Sequence, residues 1–155
     1  MINSELFLQT IDRFIELYGD RAGGRGDSIQ GGLAWIKDTR VILLAGGGED
    51  LQQSSDWRRL SRLLSLAQQL RRPVLLWHLP FQMGTAPSRE PASVIHNAIQ
   101  NNRLQLLKLP LPIISIFFDE SSPIPLESEL AMVDGVVLVE SQQRPNPRLS
   151  PLMSD

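Results

Sequence analysis

Apolar positions along the chain change period several times, and each change marks an expected element. Leu6, Phe7, Ile11, Phe14, Ile15 and Tyr18 recur at spacings of three and four behind Asn3-Ser4, a cap-forming pair. This spacing predicts an amphipathic helix of about four turns, ended by Gly19. Residues 20–28 hold Gly23, Gly24 and Gly26 and read as a loop. From Ile29 to Ile36, and again from Arg40 to Ala45, β-branched and apolar residues flank Lys37-Asp38-Thr39, the pattern of a β-hairpin. Gly46-Gly47-Gly48 closes its second strand. Ser54, Ser55 and Asp56 offer caps for a helix that puts Trp57, Leu60, Leu63, Leu64, Ala67 and Leu70 on one face.

Continuous apolar runs follow. Pro73 to Leu79 has the length and composition of a buried strand, as expected after a helix in a strand-helix-strand unit. A proline-containing loop leads to a helix that starts near Pro91, with Val94, Ile95, Ala98 and Ile99 inward and Asn101 and Asn102 outward. Pro112 to Phe118 and Gly135 to Val139 are two more strands, and Leu126 to Met132 is at most a short helix. Residues 1–141 are thus expected to form a single α/β domain, and residues 142–155, with Pro145, Pro147 and Pro151, a mobile proline-rich tail. No period of twenty to fifty residues repeats with recognisable identities, so an obvious solenoid is not expected.

Composition narrows the function classes. A chain of 155 residues can bury one real core. Its 15 basic residues nearly cancel its 17 acidic ones, which gives no global field for nucleic acid or an anionic membrane, and neither partner is expected. The absence of cysteine excludes disulfides, thiolate metal ligands and a cysteine nucleophile, and suits a reducing cytoplasm. The first residues carry acids and no unbroken apolar run, so neither a signal peptide nor a spanning helix is expected there, and the cytoplasm is the expected location.

One stretch carries a resemblance. Gly19-Asp20-Arg21, then Gly31-Gly32-Leu33-Ala34, followed by the hairpin, resembles the start of the carboxyltransferase core of bacterial acetyl-CoA carboxylase, above all its α subunit. The later order agrees: a Leu-rich helix, a strand opened by Pro73, a loop, a helix around Ile95 to Asn101, then LPLPIISIFF and GVVLVES. The resemblance implies a crotonase-like ββα spiral whose stacked strand-strand-helix turns place ligand loops at one end. It also implies carboxyl transfer from carboxybiotin to acetyl-CoA to give malonyl-CoA for fatty acid biosynthesis. Coenzyme A ester and carboxybiotin would then be substrates, with no cofactor bound directly. A homo-oligomer or a companion carboxyltransferase subunit is the implied partner.

Such chemistry stabilises oxyanions with backbone N–H groups from glycine-rich loops. On this resemblance the substrate-binding positions are Gly46, Gly47 and Gly48 after the hairpin, Pro80, Phe81 and Gly84 in the loop His78 to Pro91, and Ser121 and Ser122 in the loop Asp119 to Ala131. Pro80 and Gly84 match the family, whereas Phe81 stands where a glycine lets backbone approach the ligand. The larger departure lies in the second loop, where the family has a glycine cluster. There Pro123 and Pro125 have no N–H to donate. Loss of one oxyanion donor costs about 2.7–4 kcal/mol of transition-state stabilisation, so little or no catalysis is expected and no catalytic residue is assigned. Between Gly48 and Trp57 the chain is also shorter than the family.

Other constellations are weaker. Gly46 to Asp50 could cradle a phosphate, but no Lys-Ser or Lys-Thr follows, and a plain turn is the preferred reading. His78 and His96 lie in different elements without a completing acid set, so a metal site is not expected. Asp119-Glu120 after a strand could act as an acid and base in another crotonase-like reaction, although a solvated acidic turn is the simpler reading. Ser121-Ser122 lacks a nucleophile-elbow context. Arg58, Arg59, Arg62, Arg71 and Arg72 form a basic strip that could meet phosphates of coenzyme A or an acidic partner surface, and it is expected to be mainly a solvated face.

Overall fold

The computed structural model describes residues 4–18, 29–46, 53–77, 79, 90–118 and 132–139. Its elements are α1 (Ser4–Thr10), β1 (Arg13–Glu16), β2 (Ile29–Ile36), β3 (Thr39–Gly46), α2 (Ser54–Leu70), β4 (Val74–Trp77), α3 (Ala92–Lys108), β5 (Ile113–Phe118) and β6 (Gly135–Val139). The strands form one sheet in sequential order, β1 to β6. β1, β2 and β3 run antiparallel, while β3, β4, β5 and β6 are mutually parallel.

Alternation along the strands divides two cores. Ile29, Ile42, Leu44, Val74, Leu76 and Ile113 face the apolar stripes of α2 and α3, which supply Trp57, Leu60, Leu64, Ile95, Ile99 and Leu106. On the opposite face Val41, Leu43, Ala45, Leu75 and Trp77 pack with Ile11 and with Leu6 and Phe7 of α1. Phe7 stands edge-on to both Phe14 and Trp77, at 5.6 and 5.7 Å between ring centroids. Both faces of β3 and β4 are therefore covered, as their unbroken apolar runs require.

The first predicted helix is corrected. Only Ser4–Thr10 is helical; the chain then turns and adds β1 to the edge of the hairpin, with Asp12 N–H donating to the Trp35 carbonyl at 2.8 Å. Phe14 and Glu16 are half-buried while Arg13 and Ile15 are exposed, a period of two that the three-and-four spacing of the larger apolar residues masked. Gly32 makes this pairing feasible, because a Cβ there would lie 2.0 Å from the Ile15 carbonyl oxygen. The hairpin turn is tighter than expected: Thr39 pairs with Ile36 inside the ladder, and Lys37 takes the left-handed conformation, with φ of 54°.

Helix α2 occupies the expected span, but Leu70 is exposed where the helix ends and Arg71 turns left-handed with φ of 53°. Helix α3 runs on to Lys108. Val94, expected inward, is exposed, and Asn102, expected outward, is buried on the same stripe as Ile95, Ile99 and Leu106. Its Nδ2 donates to the carbonyls of Trp57 and Ala98, which bonds α3 to α2 across their interface. Strands β4 and β5 start one residue later than predicted, after Pro73 and Pro112, whose rings carry no N–H for a ladder. Residues 126–131 and the proline-rich tail lie outside the described residues, and the expected division at 141 is not addressed. Among the described residues no helix is long and apolar enough to cross a membrane.

Candidate functional site

The parallel register brings the carboxyl ends of β3, β4 and β5 level with one another at one end of the sheet. Ala45 is level with Trp77, and Trp77 with Ile116, so β3, β4 and β5 all deliver their following segments from the same edge. Gly46, the last residue of β3, pairs with Ile29. Gly47, Gly48, Pro80, Phe81, Gly84, Ser121 and Ser122 follow these strands in the chain and lie outside the described residues, as do His78, Asp119 and Glu120. Leu79, just beyond β4, is buried in the helix-side core.

Among the described residues, α2 organises the frame beneath that edge. Its first turn is held by a side chain from far along the sequence: the Glu90 carboxylate accepts from Ser54 N–H at 3.1 Å and from Ser54 Oγ at 3.0 Å. A carboxylate fits there because the first N–H groups of a helix have no partner within it and carry partial positive charge. Arg58 Nη1 donates to Ser54 Oγ at 2.8 Å, and the Asp56 carboxylate accepts from Gln53 N–H at 3.4 Å. The residue entering α3 is thereby tied to the start of α2.

One turn further, the predicted solvated strip gives way to a buried clamp. Arg59 is 1% exposed. Its Nη2 and Nε donate to the Leu17 carbonyl at 2.6 and 3.0 Å, Nη1 to the Ile29 carbonyl at 2.7 Å, and Nη2 also meets Glu16 Oε1 at 3.2 Å. Leu17 and Ile29 are the two ends of the connection between β1 and β2, so one guanidinium fixes both. Arg62 adds a bond from Nη1 to the Tyr18 carbonyl at 2.7 Å. The solvated-face reading of this strip is therefore wrong for Arg59. The fold had left two inward carbonyls and a carboxylate that only a multi-pronged donor satisfies.

Tyr18 completes this corner. Its hydroxyl donates to Glu16 Oε2 at 2.9 Å, and Arg59 sits 5.4 Å from the ring centroid. The hydrogen bond to Glu16, and next the negative charge of Glu16, hold the phenol above its usual pKa. Among the described residues no group of three or more His, Asp or Glu could hold a metal, and His96 lies exposed on α3.

Sequence reasoning missed Glu90, Arg59 and Asn102 as organising residues. A signal existed for two of them: Arg59 precedes Leu63 and Ala67 at steps of four on the buried stripe, and Asn102 continues the series Ile95, Ile99. A polar residue on such a stripe marks a buried bond. Nothing local announced Glu90, whose partner is 36 residues away.

Comparison with known proteins agrees with the resemblance read from the motifs. No family model matches the chain. The carboxyl transferase subunit alpha of acetyl-coenzyme A carboxylase from Clostridium beijerinckii is 30% identical over 131 residues, covering 76% of this chain and 47% of that protein. The chain spans about half the length of the curated relatives it matches. Among solved structures, transcarboxylase 12S superposes with a TM-score of 0.66 over all of this chain and 34% of its own, at 13% identity. The geranyl-CoA carboxylase β subunit of P. aeruginosa gives 0.62 over 89% of this chain and 30% of its own, at 14% identity. The chain therefore has the crotonase-like carboxyltransferase fold and is a relative of the acetyl-CoA carboxylase carboxyltransferase α subunits.

Proposed function

We propose that this chain is a diverged carboxyltransferase-like subunit that acts as a partner or structural subunit, or as an acyl-CoA-binding module, with little or no catalysis of its own. The observation that carries this reading is a contrast within one molecule. The frame under the ligand edge is tightly built, with Arg59 and Glu90 fastening its corners, while the segment after β5 carries Pro123 and Pro125 where the family uses glycines to present N–H donors. A frame of this kind can hold a thioester or a companion chain. An enolate needs donors that prolines do not supply.

The second reading is a working component of an acyl-CoA carboxylase carboxyltransferase whose donors come from another chain. It is favoured by the curated relatives being named as subunits. Malonyl-CoA formation by the purified chain with carboxylated biotin carrier and acetyl-CoA separates the readings. Background rates for the chain alone are expected under both. Turnover regained with a companion captured from the native cell supports the second, and clear turnover by the chain alone refutes the first.

A further inference from the structure

Three arginines and a tryptophan form a single row across the sheet. Arg13 of β1 is the register partner of Trp35 in β2, and Trp35 is the partner of Arg40 in β3. Arg72 precedes Val74 by two residues, as Arg40 precedes its partner Ile42, so the row extends to the start of β4. The guanidinium carbons of Arg13 and Arg72 lie 5.1 and 5.4 Å from the centroid of the Trp35 ring. Register partners project to the same face, so these side chains share one surface.

Charge in this row is unbalanced. Among the described residues no carboxylate forms an ion pair with Arg13, Arg40 or Arg72. Arg72 Nη1 is shielded from solvent and has no hydrogen-bond acceptor, resting instead near the indole. Lys37 and Arg71 are exposed beside the row. Asp12 and Asp38 are the nearby acids in the chain, and the Asp12 carboxylate already accepts from the Lys37 backbone N–H. Among the described residues five cations thus stand with two carboxylates around this row, in a chain whose net charge is −2. Like charges held together without counter-ions cost stability, and the indole offsets only part of that by cation–π attraction.

We infer that this row is a docking surface for an acidic segment of a partner protein. Neighbouring strands are about 4.8 Å apart, so three steps span roughly 14 Å at the backbone, while the Arg13 and Arg72 guanidiniums, 5.1 and 5.4 Å from one ring centroid, lie at most about 10.5 Å apart, the length of about three extended residues. A single phosphate presents one centre of charge, whereas an extended acidic peptide can present a carboxylate to each arginine of the row. Tryptophan and arginine are the residue types that dominate binding hot spots, and the exposed Arg13 and Arg40 add electrostatic steering. Arg40 and Arg72 stand at the amino-terminal ends of β3 and β4, the opposite end from the proposed acyl site. Both sites can therefore be occupied together.

Fluorescence anisotropy of labelled hexaglutamate, titrated with the full chain at low salt, tests the inference. Saturable binding is expected, weakened at least five-fold by Arg40→Gln and by Arg13→Gln, unchanged by the charge-matched Lys108→Gln, and lost progressively with added salt. The two arginine variants lie at exposed positions, and unchanged circular dichroism checks that each folds. No binding, an equal loss in Lys108→Gln, or binding of inorganic phosphate with none of hexaglutamate would each overturn the docking surface.

Discussion

At single positions the fold depends on two opposite requirements, a side chain that must be absent and one that must be present. Gly32 is the first. A methyl group would meet the backbone of β1, at Ile15 O and at 2.9 Å from Glu16 Cα, and backbone cannot swing aside as a side chain would. Gly32→Ala is expected to lower unfolding free energy by about 3 kcal/mol, the upper end of overpacking costs, measured by denaturant titration. Arg59 is the second. Arg59→Met keeps the bulk but leaves the Leu17 and Ile29 carbonyls and the Glu16 carboxylate without their donor, a loss of about 3 kcal/mol in the same assay. A variant as stable as the parent would show that the clamp is incidental.

Tyr18 gives a pH-dependent readout at this scale, since it is the chain's only tyrosine and its ionisation can be followed by ultraviolet absorbance without interference from another phenol. Its folded pKa is raised, so folding favours the protonated phenol. The stabilisation is complete below the unfolded value and is lost as pH rises through the folded value, in the alkaline range. Glu16→Gln removes the charge and weakens the hydrogen bond, so the titration midpoint should fall toward the ordinary tyrosine value. An unmoved midpoint would exclude Glu16 as the cause.

At the level of elements, legibility followed burial. Strands β3, β4 and β5 read directly because both their faces are covered, and a run such as Val74–Trp77 has no other use for four consecutive apolar residues. The α2 stripe was equally plain. The stretch from Leu6 to Tyr18 misled because its helix and strand are both half-buried: Phe7 and Phe14 reach the same cluster from different elements, and their spacing imitates one helical face. What separates them is the pairing of β1 with β2, a long-range fact that no local period contains. The start of α2 is similar: Ser54, Ser55 and Asp56 suggested the cap, but the cap residue is Gln53, boxed with Asp56, and Glu90 adds an acceptor for Ser54 from the entrance to α3. Glu90→Ala should therefore cost about 1 kcal/mol in denaturant titration, the usual value of a contact at a helix amino terminus, whereas Val94→Ala on the exposed side of α3 should cost little.

Across the whole molecule, two ends of one sheet carry different properties. The carboxyl ends of β3, β4 and β5 precede in the chain the segments to which the family resemblance assigns substrate, and Arg59 and Glu90 brace the described residues at that edge. Of the predicted substrate positions only Gly46 is described, closing β3 against Ile29, so the site was legible as a location more than as a geometry. The resemblance rested on Gly19-Asp20-Arg21, which lies outside the described residues, and on Gly31-Gly32-Leu33-Ala34, for which the structure gives a physical cause: at Gly31 a Cβ would lie 2.5 Å from Leu63 Cδ1, and at Gly32 it would strike β1. Gly31 preserves the packing of α2 on the sheet and Gly32 the pairing of β1 with β2, whether or not the chain turns over substrate. Retained motif and retained catalysis are therefore separate questions in this molecule.

Under the proposed function, the main chain after β5, which contains Pro123 and Pro125, is expected not to stabilise a thioester enolate. Exchange of the acetyl methyl protons of acetyl-CoA for deuterium, followed by proton NMR in the presence of the purified chain and biotin carrier, reports enolate formation directly. Exchange no faster than in buffer is the expected result, and acceleration that tracks the concentration of the chain would contradict it.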